Sequence, residues 1–157
     1  MTMDEVLLDA IDRRLLARLQ QDARATAQAL SEAAHLSPAQ SNRRHRRLEE
    51  AGVIAGYEAR LAPATLGLHV VAFVHVTMER GHVGQIADFK ALIGDLPQVQ
   101  ECYAVTGDAD YVLKVVARDL KSLSDFLMGT LMRAPGVGAV HSTVCLDEIK
   151  CTSALPL

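Results

Sequence analysis

Tryptophan is absent from this 157-residue sequence, and only three phenylalanines and three tyrosines are present. Half of the residues are nevertheless apolar, so a core can be buried in one large domain or two small ones. A basic excess is also lacking. The formal net charge of −3 excludes bulk attraction to nucleic acid, and any DNA-binding argument must rest on where charge is clustered. No apolar run approaches the roughly 18 residues of a membrane span, and the opening stretch MTMDEVLLDAIDRR has acidic residues where a secretory signal has basic ones. A cytoplasmic protein is expected. The three cysteines, Cys102, Cys145 and Cys151, are an odd set without CxxC spacing, which argues against a disulfide framework or zinc site and leaves buried or incidental thiols. There is no internal repeat, low-complexity segment, Ser-His-Asp set or Gly-rich phosphate loop, so no catalytic residue, metal or cofactor is expected.

What is present begins with helical periodicity. From Asp9, the apolar residues Ile11, Leu15, Leu16 and Leu19 recur at helical spacing, with Asp9 as N-cap and Asp12 in the first turn, giving a helix to about Gln21. A shorter pattern, Ala27, Leu30, Ala33 and Ala34, ends at AHLS. Three start signals then coincide: Ser37 as N-cap, Pro38 at the first helical position and Gln40 as capping-box partner. A third helix runs from there to about Ala51 and stops at Gly52. Two helices joined by a tight turn, the second basic, have the helix-turn-helix layout.

Beyond Gly52, VIAGYEARL alternates and reads as a strand, and APATLG reads as a linker. The texture then changes. HVVAFVHVTM is a β-branched strand, VGQIADFKALIGDL an amphipathic helix, VQECYAVTG and ADYVLKVVA strands around a turn, LKSLSDFLMGTLMRA a helix and VGAVHSTVCLDEIK a last strand. The order βαββαβ is the ferredoxin-like motif, a four-stranded sheet with two helices on one face. The expected fold class is therefore α+β: a helix-turn-helix domain over 1–51, a strand and linker over 52–64 and a ferredoxin-like domain over 65–157.

The third helix holds four arginines in SNRRHRRLEEAG. At about 100° per residue, Ser41, His45 and Leu48 face the other two helices. Arg43, Arg46 and Arg47 then point away, with Ala39, Gln40 and Asn42 near the helix start. Arginines suit phosphates and guanine edges, amides suit adenine edges, and a small residue lets the backbone approach. A solvated basic face balanced by Glu49 and Glu50 is the alternative, but the preceding short helix and tight turn favour DNA. Arg44, on the flank, is assigned to an ion pair with an acidic residue of the first helix.

On LDAIDRRLLARLQQDAR, LSPAQSNRRHRRLEEAGVIAGYEARL, VQECYAVTGDADYVLKV and STVCLDEIK, in that order, the chain resembles the Lrp/AsnC family of leucine- and asparagine-responsive transcription regulators. The resemblance covers nearly the whole chain. It implies a regulator that binds operator DNA, responds to a small effector, typically an amino acid, and forms a homodimer through the ferredoxin-like domains that assembles further, up to an octamer. Two departures stand out. The family has apolar, often β-branched residues where this chain has Ser41 and His45, so packing there should loosen or His45 should find a partner. His35 stands where the family often has glycine, and histidine tolerates the left-handed region better than most residues.

TGDADY, Thr106 to Tyr111, reads as a hairpin turn in which Gly107 and Asp108 supply unusual backbone angles. A turn needs no second acid, yet Asp110 follows. A free amino acid wants backbone N–H donors for its carboxylate and a carboxylate for its ammonium, and this loop offers both. The resemblance matches Gly107, Asp108 and Asp110 to the effector loop, and Ser142, Thr143 and Val144 to the last-strand segment across from it. Tyr103 and Tyr111 are read as core. Two alternatives remain: an amino-acid sensor with vestigial DNA binding, suggested by Ser41 and His45, and a siroheme-decarboxylase-like enzyme, against which His69, His75, His82 and His141 show no ligand spacing.

Overall fold

A computed structural model describes residues 6–79 and 83–157. His82 lies outside them. The chain forms two compact units, one taking in the sequence up to Arg60 together with Lys150–Leu157, the other Leu61–Ile149. The division falls within the segment expected to be strand and linker.

The first unit holds α1 (Ala10–Gln21), α2 (Ala27–Ala34) and α3 (Pro38–Glu50). Each start is fixed by a cap that satisfies otherwise orphaned N–H groups. Asp9 accepts from the Ile11 and Asp12 amides at 2.9 and 2.8 Å, and Asp12 returns a bond to the Asp9 amide, a capping box built from two aspartates. Thr26 caps α2, and Ser37 with Gln40 forms the expected box on α3 behind Pro38. The turn between α2 and α3 passes through His35 at φ 56° and ψ 48°, the left-handed region that the family's frequent glycine at this position implied. Leu15, Leu16, Leu19, Leu30, Ala34 and Leu48 make the core.

Two expectations are corrected here. VIAGYEARL forms no strand: residues 53–62 are irregular, and Ala55 to Leu61 are exposed. Alternation alone does not make a strand, because its backbone groups need a neighbouring ladder and none of the described residues supplies one. The tail was assigned to the second domain, yet Lys150–Leu157 belongs to the first unit. Gln20 of α1 brackets Leu155, donating to its carbonyl at 3.0 Å and accepting from its amide at 2.5 Å, and Arg60 donates to the Cys151 carbonyl.

The second unit is an antiparallel sheet in the order β2-β3-β1-β4, from β1 (Val70–Met78), β2 (Val99–Ala104), β3 (Tyr111–Ala117) and β4 (Val137–Val144). With α4 (Ile86–Asp95) and α5 (Leu120–Gly129) this is the expected ferredoxin-like arrangement. Strand period two sorts the side chains. Ala72, Val74, Val76, Tyr111, Leu113, Val115 and Ala117 pack with Phe89 and Ile93 of α4 and with Leu123 and Phe126 of α5. The opposite face carries Val71, Phe73 and His75 of β1, Val112, Lys114 and Val116 of β3, Tyr103 of β2 and His141 of β4. Tyr111 is core, as read. Tyr103 is instead 57 % exposed, because its partner in the ladder is Val112 rather than a core residue.

Candidate functional site

Ala39, Gln40, Asn42, Arg43, Arg46 and Arg47 are all exposed on α3. An open recess of about 740 Å³ is lined by Ala39, Asn42, Arg43, Arg44, Arg46, Arg47 and Glu50. The helix therefore brings five of the six candidate DNA contacts together. Gln40 is set apart, since its side-chain oxygen accepts from the Ser37 amide at 3.3 Å and its hydroxyl at 3.1 Å. The cap uses the acceptor that adenine reading needs.

The arginines divide by partner. Arg44 donates to Asp9 at 2.6 Å and to Asp12 at 2.9 Å, the ion pair with the first helix that the sequence called for. Arg47 was expected to point only outward, but its guanidinium also reaches Asp12, at 2.5 Å. Asp12 is the hub that sequence reasoning missed. Its side chain is 1 % exposed, so its charge must be compensated within the fold, and two guanidiniums do so. The missed signal was position: Asp12 precedes Leu16 and Leu19 by one and two helical turns, on the apolar stripe itself. The Asp12 amide and the Arg44 guanidinium hold the Asp9 carboxyl down to about 2.

The two departures on the inward side of α3 resolve differently. Ser41 is fully buried and its hydroxyl finds no partner among the described residues. His45 does find one: its Nε2 lies 2.6 Å from the Tyr57 hydroxyl, which donates to Glu49 at 3.0 Å. The same Nε2 lies 3.4 Å from the Glu49 carboxylate, so the three side chains form one cluster. Burial, and then the Glu49 carboxylate, push the Tyr57 hydroxyl up to about 12. This chain of bonds ties the end of α3 to the segment that follows it.

In the second unit the candidate effector residues fall in two places. Gly107 adopts φ 115°, which side chains disfavour, and Thr77 donates to the Asp108 carbonyl. Asp110 donates its amide to the Val76 carbonyl, and its carboxylate accepts from the Met78 amide at 2.7 Å. The ladder between β1 and β4 shifts register at Thr77/Met78, and Asp110 satisfies a donor there. The argument that this turn needs no second acid is thus corrected. Ser142, Thr143 and Val144 lie opposite Val74, Phe73 and Ala72, nearer the other end of β1. They are not across from the loop within one chain. Ser142 shares a face with Val74 and Thr143 with Phe73, so their hydroxyls point to opposite faces of the sheet.

The cysteines are free, Cys102 and Cys151 exposed and Cys145 half-buried, so none is a core thiol. No helix among the described residues is long and apolar enough to cross a membrane.

A family model described as winged helix-turn-helix DNA-binding matches residues 8–55, and one described as Lrp/AsnC ligand binding domain matches residues 71–155. The leucine-responsive regulatory protein of Salmonella typhimurium is 39% identical over 148 residues, 94% of this chain and 90% of that protein. Its Escherichia coli K12 counterpart is 38% identical over the same shares. Among solved structures, a transcriptional regulator from Neisseria meningitidis in complex with L-Met superposes with a TM-score of 0.92 at 37% identity, covering 96% of this chain and 97% of that one. An AsnC family transcriptional regulator from Agrobacterium tumefaciens gives 0.89 at 30% identity, covering 95% and 97%. A basic third helix held on a helix-turn-helix scaffold, followed by the four-stranded ligand-binding sheet, matches these proteins from end to end, and the chain belongs to the Lrp/AsnC family of DNA-binding transcription regulators.

Proposed function

We propose that Arg43 and Arg46, with Ala39 and Asn42 beside them, make the main operator contacts, while Arg44 holds α3 in place and Arg47 divides its charge between Asp12 and phosphate. The observation that carries this is the partner pattern: Arg44 and Arg47 are bonded to aspartates of α1 or its cap, and Arg43 and Arg46 extend from the exposed side of the same helix. Gln40 contributes through its cap rather than by reading a base. The test is operator binding across a salt series. Arg43→Ala and Arg46→Ala should each lower the salt slope by about one if they hold phosphates, or lose roughly 1–3 kcal/mol at one operator position if they read a guanine. Unchanged affinity and slope in both variants defeats the assignment.

The effector is proposed to be an amino acid held at the Gly107–Asp110 loop. The Neisseria meningitidis relative was solved with L-Met, which supports that ligand class. Loop amides receive the carboxylate and Asp108 the ammonium, while Asp110 keeps the loop on β1. Since Ser142, Thr143 and Val144 lie away from this loop in one chain, their contribution comes from a second copy. Self-association follows from the open sheet face, where Phe73 and Tyr103 are 41 % and 57 % exposed. A homodimer formed there, and larger assemblies up to an octamer, would place loop and strand segments from different copies side by side. A ligand that prefers one arrangement shifts the population of assemblies and with it the spacing of the DNA-binding units. Screening the twenty amino acids for a thermal shift, then repeating it with Asp108→Asn, tests the site. A full shift retained in that variant counts against it.

A further inference from the structure

We propose, resting on the reading of α3 as the helix that meets DNA, that Asp12 limits how strongly this protein holds DNA of any sequence, by restraining Arg47 from the phosphates. Both carboxylate oxygens of Asp12 are occupied. Oδ1 accepts from Arg44 at 2.9 Å, and Oδ2 accepts from Arg47 at 2.5 Å and from the Asp9 amide at 3.2 Å. Arg44 also donates to Asp9 at 2.6 Å. Two aspartates and two arginines thus form a quartet whose charges cancel, and Arg43 and Arg46 stand outside it.

Exposure separates the members of the quartet. The Asp12 side chain is 1 % exposed and that of Arg47 is 52 % exposed. Arg47 therefore has one nitrogen on a buried anion while it lines the recess on α3 with Ala39, Asn42, Arg43 and Arg46. A guanidinium carries further donors in a fixed fork, and a phosphate is the other anion that fork fits. Leaving Asp12 for a phosphate would abandon a buried carboxylate to a single cation in return for an ion pair in solvent, so the exchange is resisted. Asp12 is a positioning residue: it is buried, and it acts on DNA through Arg47. Sequence-independent binding comes almost wholly from neutralised phosphates, so the restraint falls chiefly on that binding. Competing sites in a genome far outnumber operators, and a weak hold on them leaves more of the protein for its targets.

The experiment measures binding of the full chain to a random-sequence duplex across a salt series from about 50 to 200 mM. In Asp12→Asn, whose amide oxygen still accepts a hydrogen bond, the salt slope should rise by about 0.5–1 per bound chain, and binding should tighten roughly three- to tenfold at the low-salt end. Asp22→Asn makes the same change of charge at the other end of α1, where Asp22 pairs with Arg18, and should leave the slope as it was. Combining Asp12→Asn with Arg47→Gln should remove the rise, which separates release of Arg47 from a general gain of positive charge. Arg43→Ala tests the proposed contact itself, so failure of that contact and failure of the restraint are read from different variants. An aspartate that only holds the fold would instead weaken binding in Asp12→Asn with no rise in slope. If that variant does not fold, the guanidinium nitrogen-15 resonances of the unsubstituted protein decide: on adding the duplex, those of Arg43 and Arg46 should shift most and that of Arg47 least. A slope unchanged or lowered in Asp12→Asn, a rise that persists without Arg47, or an Arg47 resonance that moves as far as that of Arg43 overturns the proposal.

Discussion

Among the described residues, the helical unit buries six apolar side chains together with Asp12, Ser31 and Ser41, whereas the sheet unit buries thirteen hydrophobic side chains and no other kind. The difference follows from geometry. Three short helices enclose little apolar area, so α3 is oriented by charge as well as packing, through Asp12 to Arg44 and Arg47. A sheet covered by two helices needs no such staple, because alternate residues of the two central strands, β1 and β3, converge on one layer. The helical unit thereby fixes where its positive charge stands, while the sheet unit leaves Phe73 and Tyr103 exposed on its second face.

The largest effect that would sharpen this contrast belongs to the sheet unit. Phe89 is fully buried between α4 and the sheet, and Phe89→Ala should destabilise that unit by about 3–5 kcal/mol through lost burial and a cavity. Thermal unfolding followed by ring resonances of Tyr111 and Tyr57, one tyrosine in each unit, should show the Tyr111 transition moving furthest. An equal shift of both would mean that the units do not melt separately.

Next comes the staple. Arg44→Ala removes one of two cations from buried Asp12 and should cost about 3 kcal/mol, the low end for breaking a buried pair because Arg47 remains. Denaturant titration measures it, and a loss below about 1 kcal/mol would place the pair with ordinary surface bridges. Arg43→Ala, with no such partner, should leave stability unchanged while weakening DNA binding.

A smaller effect of opposite sign is expected at Ser41. Its buried hydroxyl is unsatisfied, so Ser41→Ala should stabilise the helical unit by about 1 kcal/mol, raising its melting midpoint by about 4–8 °C. No gain would mean that water reaches the hydroxyl.

The smallest effect is acidic. Asp9 is held at about 2 in the folded unit, below its usual 3.8, so its contribution is complete above about pH 4 and is lost as pH falls through about 2. The midpoint of the helical unit should decline over that window, and decline less steeply in Asp9→Asn, which keeps a capping oxygen but does not titrate. Parallel curves for the two proteins would assign the acid sensitivity to other carboxylates.

Much of the architecture was legible because its determinants are local. Asp9 with Asp12, and Ser37 with Gln40, sit three residues apart, so both N-caps formed where the sequence put them, Ser37 with Gln40 as the expected box and Asp9 with Asp12 as one not expected. The βαββαβ order followed from periods of two and 3.6, which chain geometry imposes on any half-buried strand or helix. The exposed arginine face was readable for the same reason. Alternation misled at VIAGYEARL, since the same pattern serves a strand only when another strand lies beside it.

The sequence by itself determined the helix starts, the exposed side of α3 and the strand and helix order, all from interactions within a few residues. Tertiary structure alone decided which arginines are held by Asp12, 32 and 35 residues away. It also attached the tail to α1 through Gln20 and Leu155, 135 residues apart. And it set His75 against His141 and turned Ser142 and Thr143 to opposite faces. Strand register and helix docking are fixed by burial of the whole core, so a single side chain's spacing in sequence carries no record of the distant partner it will meet.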